Sequence, residues 1–306
     1  MSVLAALART QLPRRVLAAV FSVLVPGAGH VVLGWTRAGW IIGGGTLALA
    51  LAGAGCALVP VIGPFLVIGA ICLLAMVASV ISIFAVPPGP DLERGPVALW
   101  PVFVLFVLFR GAAYGVDHYV LDALSTPDVA MLPLVGERDV VLVDRRPFEP
   151  RVGDVVVFAD PKDIAQRVAR RVVATAGQRV RYADGRLTVD GVEVAETPDG
   201  ETIARELGPD GKPGPDRTYR RMRQVLGGRT FAIVRDAAPA AAAPVEATVG
   251  TGQVYVLADR RDHAADSRTF GPIATGQVRR ALFVFMSGPS LDGRGRIWTP
   301  LASPAR

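Results

Sequence analysis

Apolar positions run almost without interruption to about residue 120; beyond that they come in short bursts separated by Gly, Pro and Asp. Four apolar blocks stand out in the first part, at about 16–34, 38–60, 61–86 and 97–116. The second and third are each long enough to cross a bilayer as helices, which takes ~20 residues. An uncharged Val59-Pro60-Val61 turn joins them. The fourth continues past Arg110, whose long side chain can reach back to the interface. The first block differs, because Pro26-Gly27-Ala28-Gly29-His30 interrupts any straight helix there.

From about residue 124 the pattern predicts strands. Runs rich in β-branched and aromatic residues lie at 140–143, 154–158, 171–173, 186–194, 229–234, 253–257 and 280–285, each bounded by turn residues. Asp190-Gly191 marks a two-residue hairpin turn. No long amphipathic helix intervenes, so this part is expected to be all-β. The Gly/Pro/Asp-rich stretch 208–216 and the Ala/Pro tract 237–244 look like surface excursions.

Charge orients the helices. Arg9, Arg14 and Arg15 precede the first block and Arg37 follows it, so the positive-inside rule puts both its ends in the cytoplasm. The expectation is a membrane region over residues 1–120: a re-entrant hairpin at about 16–37, then transmembrane helices at about 38–60, 61–86 and 97–117. Residues 121–306 would form an extracytoplasmic β domain of a multi-pass cytoplasmic-membrane protein. A mean hydropathy of +0.39 over 306 residues agrees with a membrane class.

The net charge of +6 is almost all arginine, with Lys162 and Lys212 the only lysines. No aromatic-interleaved basic patch accompanies it, which argues against nucleic acid and for anionic lipid as the partner of the basic surface. Cys56 and Cys72 both lie in apolar stretches without metal-ligand company, so neither a metal site nor a disulfide framework is expected. No cleavable signal peptide is evident. Trp35, Trp40 and Trp100 read as interfacial anchors, and Asp117 and His118 as solvated residues beyond the last helix.

Four ordered segments within residues 97–290 resemble the bacterial type I (leader) signal peptidases. Pro127-Asp-Val-Ala-Met-Leu-Pro133-Leu, with the strand from Asp139 after it, is similar to the family's Pro-Ser-x-Ser-Met-x-Pro-Thr. Gly153-Asp-Val-Val-Val-Phe158 is similar to its Gly-Asp-Ile-Val-Val-Phe strand, and 170–178 to its Lys-Arg-Val-Val-Gly-x-Pro-Gly-Asp segment. The stretch 258–271, with 278–287 as a closing strand, is similar to its Gly-Asp-Asn-Arg-Asp-Asn-Ser-x-Asp-Ser-Arg-x-x-Gly signature. Retained positions are Met131, Pro133, Asp139, Arg171, Asp262, Asp266, Ser267, Arg268 and Gly271, with Asp266 and Arg268 implied to form a structural ion pair. The resemblance therefore implies a multi-helix membrane region followed by an all-β signal-peptidase-like domain. It implies no cofactor, and a family activity of cleaving exported precursors, bound as an added strand, after small residues.

That activity needs a serine nucleophile and a neutral lysine base. Aligned without gaps, the serine position is Ala130 and the lysine position is Arg170. A methyl cannot attack a carbonyl, and a guanidinium stays protonated with no lone pair to act as a base. The serine implied as an oxyanion donor aligns with Asp128, and the lysine-orienting serine with Ala264. The expectation is thus a non-catalytic homologue that binds or scaffolds exported or membrane polypeptides, with precursors or another membrane protein as partners. The alternative is an active peptidase using another serine and base, for which Ser125, Lys162 and His263 are the candidates.

Overall fold

The computed structural model describes residues 12–57, 62–87, 89–90, 100–208, 210–238, 243–262, 265–291 and 301, in two compact units, 1–118 and 119–306. The turn at 59–61, Arg9, His263, Ala264 and the middle of the Ala/Pro tract lie outside the described residues.

The first unit is helical. Helix α1 (Leu12–Leu24) ends before Pro26, and a five-residue α2 (Ala28–Val32) follows the break. Then come α3 (Thr36–Ala57), α4 (Ile62–Ala85) and α5 (Trp100–Gly115), the last passing into a π turn at Val116–Val120. Three stretches are long and apolar enough to cross a membrane, Thr36–Cys56, Val67–Ala85 and Pro101–Val120, and their windows are largely unburied within the protein. At ~1.5 Å per residue, 19–21 residues span the ~30 Å of a hydrocarbon core. Helix α1, at 13 residues, reaches only about 20 Å.

Glycine explains how the broken segment packs. Gly27 sits at φ +87°, and a Cβ there would lie 2.3 Å from the Gly39 carbonyl oxygen; one on Gly29 would lie 2.2 Å from that of Ala18. The break thus lets backbone press on backbone. Both ends of the segment are tied to the same end of α4. Arg15 donates to the carbonyls of Phe84 and Val86, while the Trp35 indole donates to Pro87 O at 2.9 Å and Gly89 N–H to Leu33 O at 2.7 Å. Arg14 Nε also donates to Val32 O at 3.0 Å, joining the start of α1 to the end of α2.

The second unit is β-rich, as the sequence leads one to expect, and carries three antiparallel sheets. Seven strands form the largest: β1 (Leu121–Ser125), β2 (Val140–Asp144), β14 (Arg279–Met286), β3 (Val155–Asp160), β4 (Asp163–Thr175), β12 (Gln253–Leu257) and β13 (Ile273–Ala274), in that spatial order. A four-stranded sheet joins β11 (Val245–Thr248), β5 (Arg179–Ala183), β6 (Arg186–Val189) and β7 (Val192–Glu193). The third runs β10 (Arg229–Arg235), β9 (Arg217–Leu226), β8 (Glu196–Ala204). Asp190 and Gly191 both adopt positive φ, at 52° and 81°, the geometry a tight hairpin turn requires.

Strand β4 matters most for the site. Its first five residues are exposed, and the next seven, Val168 to Ala174, are buried. Two of those seven are arginines. Neighbouring positions on a strand point to opposite faces, so Arg170 and Arg171 serve different sides of the sheet.

Candidate functional site

The segment after β1 turns at Pro127 and places three residues around one point. Asp128 folds back on its own backbone, its Oδ1 accepting from Ala130 N–H at 3.0 Å, a local turn that Asp favours. Its other oxygen, Oδ2, accepts from Arg170 Nη2 at 2.9 Å, across 42 residues of sequence. One carboxylate therefore bridges a backbone N–H and a guanidinium. The other two nitrogens of Arg170 also find partners, Nε donating to Ala265 O at 2.7 Å and Nη1 to Ala169 O at 2.6 Å. Ala130 is fully buried and its carbonyl accepts from Arg260 N–H at 2.8 Å. Arg170 is 1% exposed and Asp128 26%, so the carboxylate is the one member that reaches solvent.

Burying an arginine is costly unless its charge is paired and its donors used, and Arg170 meets both conditions. None of these three side chains carries a hydroxyl, thiol or amine. The arrangement offers a fixed cation beside a backbone N–H, with an internal anion already bound to both. The paired charges of Asp128 and Arg170 leave the cluster neutral.

Residues around this point are held by further pairs. Arg171 meets Asp259 through two bonds, 2.8 Å and 2.6 Å, with both side chains at most 1% exposed, and lies over the Phe231 ring at 4.3 Å. Asp266 pairs with Arg268 in the same two-bonded fashion at 2.8 Å and 2.6 Å, accepts from Ala258 N–H at 2.9 Å, and opens the single-turn helix α6 (Ser267–Phe270). Gly271 ends that turn at φ +80°. Ser267 Oγ accepts from Val256 N–H, and Asp262 accepts from Asp236 N–H. Asp139 binds the N–H groups of Gly136 and Gly288 at 2.7 Å and 2.6 Å, tying the turn containing Met131 and the cis Leu132–Pro133 bond to the end of β14. Met131 itself is core. Burial pulls the guanidinium of Arg261 down to about 10, and burial, with Asp266 adding to it, pushes the phenol of Tyr255 up to about 12.

Of the candidate substitute groups, Lys162 is the one the structure places away from Ala130. Lys162 is exposed in the turn between β3 and β4, where its N–H binds Asp160. Seven strand residues separate Asp163 from Arg170, or about 23 Å at ~3.3 Å each, far beyond a lysine's reach. Ser125 is exposed at the end of edge strand β1. His263 and Ala264 lie outside the described residues. Among the described residues, no group of three or more His, Cys, Asp and Glu is placed to hold a metal ion.

The bridge between Asp128 and Arg170 is what sequence reasoning missed. Each was read as a separate defect, and only the turn at Pro127 together with the pairing of β4 brings them together. The signal available was the coincidence of a new anion and a new cation at two positions of one site.

Residues 99–286 match a family described as signal peptidase, peptidase S26. A signal peptidase I of Pseudomonas aeruginosa is 27% identical over 201 residues, 64% of this chain and 57% of that protein. One from Rickettsia prowazekii is 28% identical over 150 residues, 45% of this chain and 53% of the relative. The chain thus spans little more than half the length of the relatives it matches. Among solved structures, a signal peptidase I of Enterococcus faecalis V583 aligns at 22% identity and a TM-score of 0.26, covering 45% of this chain and 99% of that one.

Proposed function

This chain belongs to the signal peptidase family, peptidase S26, and on that premise we propose that it is a non-catalytic member that binds or scaffolds exported or membrane polypeptides. The observation that carries the reading is the Asp128 carboxylate seated between Ala130 N–H and Arg170. Acyl transfer needs a nucleophile, a base that can lose its proton, and free donors aimed at the developing oxyanion. At the aligned positions stand a methyl, a permanently protonated guanidinium, and an N–H already bound to an anion. Losing one oxyanion donor alone typically costs ~100-fold or more. Three coordinated changes leave the sheet that would accept a peptide as an added strand, and remove the chemistry.

The same proposal includes a topology. Both ends of the α1–α2 segment are tied to one end of α4, which supports a hairpin that enters and leaves by the same side. Helices α3 and α4 then cross out and back, and α5 crosses again. No acidic residue precedes Asp91, whereas Arg9, Arg14, Arg15 and Arg37 all do, favouring a cytoplasmic position for that end and an extracytoplasmic one for residues 121–306.

The test is incubation of the full chain, in proteoliposomes, with a secretory precursor carrying photo-crosslinking residues around its cleavage site. The expected result is crosslinking to the β-rich unit without cleavage. Cleavage by the purified chain, abolished by replacing one of its own hydroxyl residues, would overturn the proposal.

A further inference from the structure

We infer that the Arg170–Ala130 cradle is a binding site for a free C-terminal carboxylate, with Asp128 as its built-in competitor. The inference rests on the polypeptide-binding reading above and names the ligand class of the same site.

The geometry is that of a carboxylate complex. Two donors, Ala130 N–H at 3.0 Å and Arg170 Nη2 at 2.9 Å, each take one oxygen of a single carboxyl group. Charge-assisted bonds of this kind are roughly twice as strong as neutral ones, and arginine suits planar carboxylate recognition. Both donors are buried, while the carboxylate now on them is a quarter exposed. It therefore enters from the solvent side, on a side chain that can swing back into water. Exchanging one carboxylate for another at the cradle leaves its hydrogen bonds and charge balance unchanged, and Asp128 recovers hydration when released. The balance is then set by what the rest of the ligand contacts. An uncleaved chain passing through the site presents only neutral amide carbonyls and cannot make this exchange. The ligand is a polypeptide whose C-terminal residue carries a free carboxylate.

The experiment uses the full chain in detergent and a fluorescent apolar peptide ending in alanine, prepared as the free acid and as the C-terminal amide, with acetate as a bare-anion competitor. One charge-assisted hydrogen bond predicts an acid-over-amide preference of about tenfold or more. Asp128→Asn keeps an acceptor for Ala130 N–H but removes the competing charge, and should tighten acid binding about tenfold. Arg170→Gln should abolish the preference. Equal binding of acid and amide overturns the inference, as does a preference that survives Arg170→Gln. A preference seen only in Asp128→Asn also overturns it, because Asp128 is then a permanent occupant. Acetate displacing the peptide at equal concentration overturns it too, since the cradle would read a bare anion. None of these outcomes depends on cleavage, so the non-catalytic reading stands or falls separately.

Discussion

Asp128 and Arg170 should behave as one unit in a double-mutant cycle. Removing one partner of a buried ion pair costs about 3–5 kcal/mol when the other is left uncompensated. Asp128 is 26% exposed, and its loss admits water to Arg170, so Asp128→Ala should cost less, about 2–3 kcal/mol. Arg170→Met keeps most of the volume but removes the bonds that the guanidinium gives to Ala265 O and Ala169 O, at about 1.5–3 kcal/mol each before relaxation. In the double variant the carbonyl loss remains while the stranded charge is gone. The double should therefore fall short of the summed singles by about 2 kcal/mol. For a unit of this size, 1 kcal/mol corresponds to roughly 2–4 °C in Tm, so the non-additivity should read as about 4–8 °C in thermal unfolding of the full chain. Singles that add to the double within about 0.5 kcal/mol would refute the argument that the two residues compensate each other.

Other consequences follow from the same structure. Ala130→Ser with Arg170→Lys should remain inactive toward a precursor, because Asp128 still holds the residue-130 N–H; adding Asp128→Ser is the combination expected to yield cleavage, measured as mature product on a gel. Asp259→Ala strands the fully buried Arg171 and should destabilise by about 3–5 kcal/mol, more than Asp128→Ala in the same unfolding assay. Gly29→Ala drives a Cβ to 2.2 Å from the Ala18 carbonyl and should lower the Tm of the full chain in detergent, whereas Gly44→Ala on α3 meets nothing within 4 Å and should be neutral or stabilising by up to about 1 kcal/mol. With Cys56 and Cys72 replaced, a cysteine at Arg37 should react with an impermeant maleimide only in inverted vesicles and one at Ser125 only in right-side-out vesicles; the same sidedness for both would refute the crossing order.

What could be read from the sequence was whatever local pattern controls. The apolar blocks gave the helices because ~20 uncharged residues have few other uses, and β12 runs from Gln253 to Leu257, where the sequence holds a β-branched and aromatic run bounded by turn residues. Strands β8 and β9 were not legible. Their sequences are polar, with Pro198, Asp199 and Gly200 in one and four arginines in the other, and they are held partly by cross-strand charge, Arg221 and Arg223 both meeting Asp199. The stretch 208–216 reads as an excursion, yet Leu207 N–H binds Glu137 and Arg138 binds Gly211 O, contacts between distant segments that no local pattern announces. The same limit hid the Asp128–Arg170 bridge: identity and alignment revealed what each position had lost, and only the fold revealed what the two had gained.

The tethering of the α1–α2 segment to the end of α4 bears on how the chain is assembled. Arg15 hands its protons to carbonyls 69 and 71 residues further along. Until those residues emerge during synthesis, the guanidinium is left to water and lipid headgroups. The tie therefore forms only after two later helices have been laid down, once the last turn of the second is there to receive it. A segment made before those helices is, on this account, fixed in place only after them.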